Sequence, residues 1–185
     1  MDGMKIKITT IILLLLIITH VFSQDVKLGI QLGHSKSIHN ADFSPDQHII
    51  ITASDDFSIK LWDTKSGKLL KTLVKDSTYF SSAKYNPTGN TILSTSSSEA
   101  NPYIWDANSG LITDTLLGHS SWVNTAEFNG SGNLILTSSD DSTAKIWDTI
   151  SYKVITTLSG HNGDVVSAVF SPDENWILTA SKDST

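Results

Sequence analysis

Residues 118–148 read GHSSWVNTAEFNGSGNLILTSSDDSTAKIWD, and the fold can be predicted from this segment. It opens with Gly-His and closes with Trp-Asp, and both positions recur along the chain. The opening position stands at residues 33–34, 75–76, 118–119 and 160–161, and Trp-Asp stands at residues 62–63, 105–106 and 147–148. Successive opening positions are 42, 43 and 42 residues apart, so the chain is built from repeats.

A period of about 40 to 45 residues, opened by Gly-His and closed by Trp-Asp, is typical of four-stranded propeller blades. On these residues the chain resembles the WD-repeat β-propeller family over nearly everything after its first two dozen residues. The resemblance implies an all-β fold, a partial β-propeller of four-stranded antiparallel blades. The expected blades are 34–73, a degenerate second blade at 76–116, a third at 119–158, and an incomplete fourth at 161–185.

The expected number of blades, about three and a half, is smaller than the roughly 4 to 8 blades with which propellers close. We therefore expect a fragment of a closed propeller, with the remaining blades supplied by a longer chain. Closure by oligomerisation is the alternative.

Turn and strand signals fit this blade pattern. Ser44-Pro45, Asn86-Pro87 and Ser171-Pro172 suit the first two positions of type I turns. An apolar segment follows each turn. A continuous apolar run of this kind indicates a strand that is covered on both faces. The segments are Ile49–Ile51, Ile92–Leu93, Leu134–Leu136 and Trp176–Leu178.

Residues 1–23 have the pattern of a secretory signal peptide. Lys5 and Lys7 form a positive region, residues 11–18 are an apolar run, and Val21-Phe22-Ser23 resembles a cleavage site. We expect cleavage near Ser23 and an exported protein, secreted or periplasmic, that does not contact membranes afterwards. An uncleaved N-terminal anchor is the alternative, although a span needs about 18 or more apolar residues.

Residues 25–31 alternate between apolar and polar side chains, which predicts a half-buried strand. This segment is in register with the last strand of each repeat. In WD-repeat propellers such an outer strand often completes the last blade, and the resemblance implies the same role here.

Each intact repeat also carries His, a hydroxyl residue, Asp and Trp. Ser, His and Asp together could indicate a hydrolase. The resemblance implies instead a buried structural network in which Asp bonds His, His bonds a hydroxyl, and the hydroxyl accepts the Trp N–H. This order is chemically possible, because indole only donates, carboxylate only accepts, and neutral His and hydroxyls do both. The expected members are His34, Thr52 or Ser54, Asp56 and Trp62; His119, Thr137 or Ser139, Asp141 and Trp147; and His161 with Asp183.

The second repeat departs from the pattern. Asp76 stands where His is expected, and Glu99 is nearest to the Asp position. Two carboxylates cannot replace a His–Asp pair without repulsion or a raised pKa. We therefore expect this blade to lack the network and to rely on packing.

The resemblance also implies that partners bind at the narrow top face, around the central channel. Trp122 is the most informative residue there, because it lies outside the Trp-Asp signature and exposed Trp is enriched at interface hot spots. Packing at a blade joint is the alternative role of Trp122. The expected partner-binding residues are His39, Asp55, Tyr79, Trp122, Asn124, Asp140, Asp164 and Lys182.

Composition and motifs limit the functional classes. The chain has a formal net charge of -6, no basic stripe and no cysteine, which argues against nucleic acid as a partner and excludes a thiolate site. It contains no glycine-rich phosphate loop, nucleophile elbow or paired-His metal motif. We expect no catalytic residue, no cofactor and no metal.

The sequence therefore predicts a non-catalytic, exported WD-repeat scaffold that binds a protein or peptide through its top face. The alternative is the recognition or regulatory part of a larger enzyme, for example a protease or kinase, whose catalytic domain lies beyond residue 185. A fold does not by itself specify a partner.

Overall fold

The computed structural model describes residues 33–185, which form strands joined by turns and short loops. The predictions for the signal peptide at residues 1–23 and the outer strand at residues 25–31 lie outside the described residues. In the described part of the chain, no helix has the length and apolar character needed to cross a membrane.

Fourteen strands are assigned within residues 33–185. The first blade contains β1 (Ile38–Phe43), β2 (Ile49–Ser54), β3 (Ser58–Asp63) and β4 (Leu69–Val74). The second contains β5 (Phe80–Tyr85), β6 (Thr91–Ser96), β7 (Tyr103–Asp106) and β8 (Ile112–Thr115). The third contains β9 (Val123–Phe128), β10 (Leu134–Ser139), β11 (Ala144–Asp148) and β12 (Val154–Leu158), and β13 (Val165–Phe170) pairs with β14 (Ile177–Ser181) in the fourth.

The strands of each blade form an antiparallel meander. Residues 33–185 thus contain three four-stranded sheets, each with its strands in chain order, and one two-stranded sheet. Successive sheets pack on one another: β5 contacts β1 and β2, β9 contacts β6, and β13 contacts β9 and β10. The prediction of an all-β, partial propeller is therefore confirmed.

The hydrophobic core lies at the joints between blades. Ile51 and Phe80 belong to one cluster, Leu93 and Val123 to a second, and Leu136 with Ala168 to a third. Each cluster combines side chains of two successive blades. A blade in this repeat architecture therefore buries its apolar face only when its neighbour is present.

The predicted core position of Trp176 is wrong. β14 begins one residue later, at Ile177, and the side chains of Trp176 and Leu178 are 75% and 71% exposed. In the first three blades the second strand has a third strand beside it, whereas β14 pairs with β13 alone within residues 33–185. The apolar pattern thus identified the strand correctly but not its exposure.

The predicted turns after the first strands are present. The amide of Gln47 donates to the carbonyl of Ser44 at 2.8 Å, and Gly89 donates to Asn86 at 2.9 Å. The fourth residue of both turns has a left-handed backbone, with φ of 61° at Gln47 and 78° at Gly89. A type I turn followed by a left-handed residue is a common hairpin connection, and it sets the register of each first strand against the second.

Candidate functional site

A chain of hydrogen bonds crosses the first blade from the tight turn to the closing tryptophan. Asp56 Oδ2 lies 2.9 Å from His34 Nδ1, and His34 Nε2 lies 2.7 Å from Thr52 Oγ1. The indole N–H of Trp62 donates to the same hydroxyl at 2.9 Å. The other candidate hydroxyl, Ser54, has a separate role, because it accepts the backbone N–H of Asp56 at 3.1 Å.

The third blade repeats these contacts. His119 lies 2.7 Å from Asp141 Oδ2 through Nδ1 and 2.7 Å from Thr137 Oγ1 through Nε2. Trp147 donates its indole N–H to Thr137 at 2.9 Å, and Ser139 accepts the backbone N–H of Asp141 at 3.1 Å. The threonine thus connects His to Trp, and the serine holds the turn.

In the fourth blade His161 Nδ1 lies 3.1 Å from Asp183 Oδ2, and Nε2 lies 2.9 Å from Thr179 Oγ1. Sequence reasoning did not name Thr179. The sequence did contain a signal for Thr179, because a threonine follows the histidine by 18 residues in three blades, at Thr52, Thr137 and Thr179.

These networks resemble a catalytic triad in composition but not in accessibility. Thr52 and Thr137 are buried, and each hydroxyl already accepts an indole N–H. Because indole only donates and carboxylate only accepts, a neutral imidazole donates from Nδ1 to Asp and accepts the Thr O–H at Nε2. A hydroxyl held in this way is not presented to a substrate in a cleft.

Burial and hydrogen bonding shift the pKa values in the third blade. Burial of the His119 side chain lowers the pKa of its imidazole, although the carboxylate of Asp141 acts in the opposite direction. For Asp141 itself, burial acts to raise the pKa, but hydrogen bonds from Thr143, His119 and the Ser120 amide outweigh burial and lower the pKa to about 2. The pair is therefore neutral imidazole with ionised carboxylate near neutral pH.

The second blade lacks the His-centred network, as expected, but it has a polar cluster of different composition in addition to its packing. Lys75 Nζ lies 2.9 Å from Glu99 Oε1, and the buried hydroxyl of Thr78 donates to the same oxygen at 2.8 Å. Tyr103 also donates its hydroxyl to Glu99. Asp76 is exposed, so the two carboxylates of this repeat do not share one site.

The Trp end of the second-blade network is retained. Trp105 donates its indole N–H to Ser94 at 2.8 Å. The structure thus keeps a hydroxyl under the indole and a carboxylate at the tight turn, and it lacks only the imidazole between them. Sequence reasoning missed Lys75 because it assigned the His position to the next residue.

The predicted partner-binding residues lie at corresponding places in the four repeats, and we call this set of eight residues the top rim. One repeat position is recognised by a backbone hydrogen bond to the tight turn. Its carbonyl accepts the N–H of Asp55, Ser97, Asp140 or Lys182 in the four blades, and the residues at this position are Ser37, Tyr79, Trp122 and Asp164. The eight residues of the top rim are His39, Asp55, Tyr79, Trp122, Asn124, Asp140, Asp164 and Lys182.

Six residues of the top rim form pairs within their own blades. The pairs are His39–Asp55 at 2.8 Å, Asn124–Asp140 at 2.7 Å and Lys182–Asp164 at 2.7 Å. Trp122 is 55% exposed. This exposure argues against the alternative role, in which Trp122 packs at a joint between blades.

Tyr79 belongs to a group that sequence reasoning did not identify. Its ring lies 4.9 Å from that of Phe57, centroid to centroid, and Lys36 Nζ lies over both rings. A sequence signal for Phe57 was available, because Ser142 and Ser184 hold the equivalent turn position in the third and fourth blades. Among residues 33–185, no group of three or more His, Asp or Glu residues is arranged to hold a metal ion.

Four-stranded antiparallel sheets that pack face to face, each with a buried tryptophan on its third strand, define the chain as a β-propeller protein. A family model described as WD domain, G-beta repeat matches residues 26–63, 110–148 and 152–185, which is more than half of the chain. The chain belongs to this family, whose members are generally non-catalytic scaffolds. Residues 64–109, which hold most of the second blade, are not matched.

Relatives match shorter segments. The chain is 50% identical over 40 residues to Ribosome assembly protein 4 of Saccharomyces cerevisiae, covering 22% of this chain and 8% of that protein. It is 49% identical over 35 residues to the U3 small nucleolar RNA-associated protein 15 homolog of Xenopus laevis, covering 19% and 7%. It is 33% identical over 69 residues to Eukaryotic translation initiation factor 3 subunit I of Neosartorya fischeri, covering 37% and 20%.

The prediction of an exported protein is wrong. The relatives are named for ribosome assembly, small nucleolar RNA and translation initiation, which are not functions of exported proteins. The prediction of export rested on lysines that precede an apolar run. That pattern is compositional and is independent of the repeats that follow it. The names also refer to ribosomes and RNA, so they do not support the exclusion of nucleic acid from the partners.

Proposed function

We propose that this chain is a non-catalytic scaffold that binds a protein or peptide partner through the top rim, with Trp122 as the anchor. The observation that supports this most strongly is the contrast among the tryptophans. Trp62, Trp105 and Trp147 are buried in the blades, whereas Trp122 is 55% exposed. Trp176 is exposed as well, but it lies beside the opposite turn of its blade, so Trp122 is the exposed tryptophan of the top rim.

The surroundings of Trp122 favour a preorganised anchor. Its carbonyl accepts the Asp140 amide at 2.9 Å, and the next residue, Val123, is buried. Asn124 donates to the side chain of Asp140 at 2.7 Å and to the carbonyl of Val165 at 3.0 Å. An exposed aromatic side chain on a fixed backbone loses little conformational entropy on binding, and polar neighbours are the usual rim of a hot spot.

The non-catalytic part of the proposal rests on the buried networks. The hydroxyls of Thr52 and Thr137 are buried, and each already accepts a tryptophan N–H, so neither is open to a substrate. We further propose that the four blades act together as one recognition segment, with bounds at residues 34–73, 76–116, 119–158 and 161–185. The chain covers 20% or less of each relative named above, so the partners of those proteins are not assigned to it.

Display of random 12-residue peptides against the immobilised full chain tests the proposal. We expect enriched peptides to bind the Trp122→Ala variant about thirtyfold more weakly, equivalent to about 2 kcal/mol, with a nearly unchanged melting temperature. Trp176→Ala is the matched control, because Trp176 is also exposed but lies beside the opposite turn of its blade. Equal affinities for Trp122→Ala and wild type, or a large fall in melting temperature, would contradict the proposal.

A further inference from the structure

Lys36, Phe57 and Tyr79 form a compact group on the first and second blades, which we call the aromatic–lysine cluster. The Phe57 and Tyr79 rings are tilted by 50° with centroids 4.9 Å apart. Lys36 Nζ lies 4.7 Å from the Phe57 centroid and 5.3 Å from the Tyr79 centroid. An ammonium group at these distances is held by the electron-rich faces of the rings.

Phe57 is in a backbone conformation that does not suit it. Its φ is 67°, in the left-handed region that bulky residues rarely adopt. The equivalent residues Ser142 and Ser184 have similar φ values of 65° and 74° but are small and polar. Folding of the turn therefore does not require an aromatic ring, and such a conformational outlier supports a functional hypothesis.

Lys36 differs from the lysines of the neighbouring clusters. Lys75 pairs with Glu99 and Lys182 pairs with Asp164, whereas no carboxylate among residues 33–185 forms an ion pair with Lys36. Lys36 is also exposed. The cluster thus holds a cation in place and leaves its N–H groups available for an acceptor from another molecule.

We propose that the aromatic–lysine cluster binds an acidic side chain of the peptide partner, with the carboxylate on Lys36 and a neighbouring apolar side chain against the edges of the Phe57 and Tyr79 rings. This inference rests on the proposed function, and it adds the chemistry of the ligand. Tyr79 and Trp122 occupy the same repeat position in adjacent blades, so one extended peptide along the top rim can reach both sites.

A nucleic acid fits this cluster less well than an acidic peptide. Stacking of a base requires an open aromatic face. The Lys36 ammonium lies over the faces of both rings. A single carboxylate needs only the ammonium and a short apolar contact.

The test uses the peptides selected by the full chain and compares three variants. Lys36→Met removes the charge and keeps an unbranched apolar side chain, Lys36→Glu reverses the charge, and Phe57→Ser introduces the residue that the third and fourth blades carry. We expect selected peptides to be enriched in Asp or Glu and to bind Lys36→Met at least about tenfold more weakly. The same peptide with its acid changed to the amide should bind wild type and Lys36→Met equally, and a peptide with Lys in place of the acid should regain binding to Lys36→Glu.

The outcomes separate the two proposals. Binding that is lost in Trp122→Ala but unchanged in Lys36→Met and Phe57→Ser would overturn the assignment of this cluster alone. Failure of the wild-type chain to bind any peptide would overturn both proposals. Binding of a 12-residue single-stranded RNA that depends on Lys36 at about 150 mM salt, without selection of acidic peptides, would assign the cluster to nucleic acid and overturn the peptide ligand. Melting temperatures of all three variants within about 4 °C of wild type establish that they are folded.

Discussion

Lys75 and Glu99 meet in the second blade, with Nζ 2.9 Å from Oε1, at the tight turn where the other blades join His to Asp. The buried hydroxyl of Thr78 and the hydroxyl of Tyr103 complete the coordination of this carboxylate. A repeat that lacks the family's histidine therefore retains an ion pair between the start of the blade and its tight turn.

Glu99→Gln should destabilise the chain by about 1 kcal/mol. The change removes the charge that Lys75 and two hydroxyls bind, and the side chains of the pair are about 30% exposed, so solvent screens part of the interaction. Asp76→Asn is the control, because Asp76 is exposed, and it should change the free energy of unfolding by less than about 0.5 kcal/mol. Urea denaturation midpoints measure both, and equal losses would show that the Lys75–Glu99 cluster does not stabilise the blade.

Thr137→Val should cost about 2 kcal/mol of stability. Valine fills the same volume but leaves both His119 Nε2 and the Trp147 indole N–H without the hydroxyl they share. Thr179→Val in the fourth blade is the matched control, because Thr179 bonds only to His161 among the contacts described for it. Denaturation curves should therefore show the larger loss at residue 137, and the reverse order would contradict the shared role of this hydroxyl.

Acidification should destabilise the third blade in two steps. The pKa of His119 is lowered on folding, so below its ordinary value of 6.5 the unfolded chain binds more protons than the folded chain. The free energy of unfolding therefore decreases as the pH is lowered through this range. The pKa of Asp141 is about 2 when folded, against 3.8 ordinarily, so its stabilisation is present above pH 3.8 and is lost as the pH falls towards 2.

Free energies of unfolding at pH 7.5 and pH 5.5 test the first step. We expect His119→Gln to show a smaller decrease between these pH values than wild type, because glutamine does not titrate. A decrease of equal size in both proteins would refute the contribution of His119.

Gly33→Ala should destabilise the first blade more than Gly118→Ala destabilises the third. A Cβ atom at residue 33 would overlap Cη2 of Trp62, whereas at residue 118 it would lie 3.0 Å from Cη2 of Trp147. Overpacking of this kind costs about 1 to 3 kcal/mol. Thermal melts of the two variants provide the comparison, and a larger shift for Gly118→Ala would show that the Trp62 ring moves aside easily.

The repeat, the blade architecture and the turns could be predicted from the amino-acid sequence. Their signals are local or periodic: Gly33 and Trp62 mark the start and end of a blade, and Ser44-Pro45 marks a hairpin. The Trp62 ring packs against Gly33 and leaves no room for a Cβ atom at the opening position of the first blade. The sequence also indicated which residues could form the first and third networks, because a common spacing repeats in each blade.

The partner of each polar group and the burial of each apolar group became visible only in the folded chain. Lys75 rather than Asp76 reaches Glu99. Trp176 and Trp122 are both exposed, although one lies in an apolar run and the other beside a buried strand residue. Phe57, Tyr79 and Lys36 come together across two blades. Burial and contacts between blades depend on neighbouring sheets that are distant in the chain, and a local pattern does not contain that information.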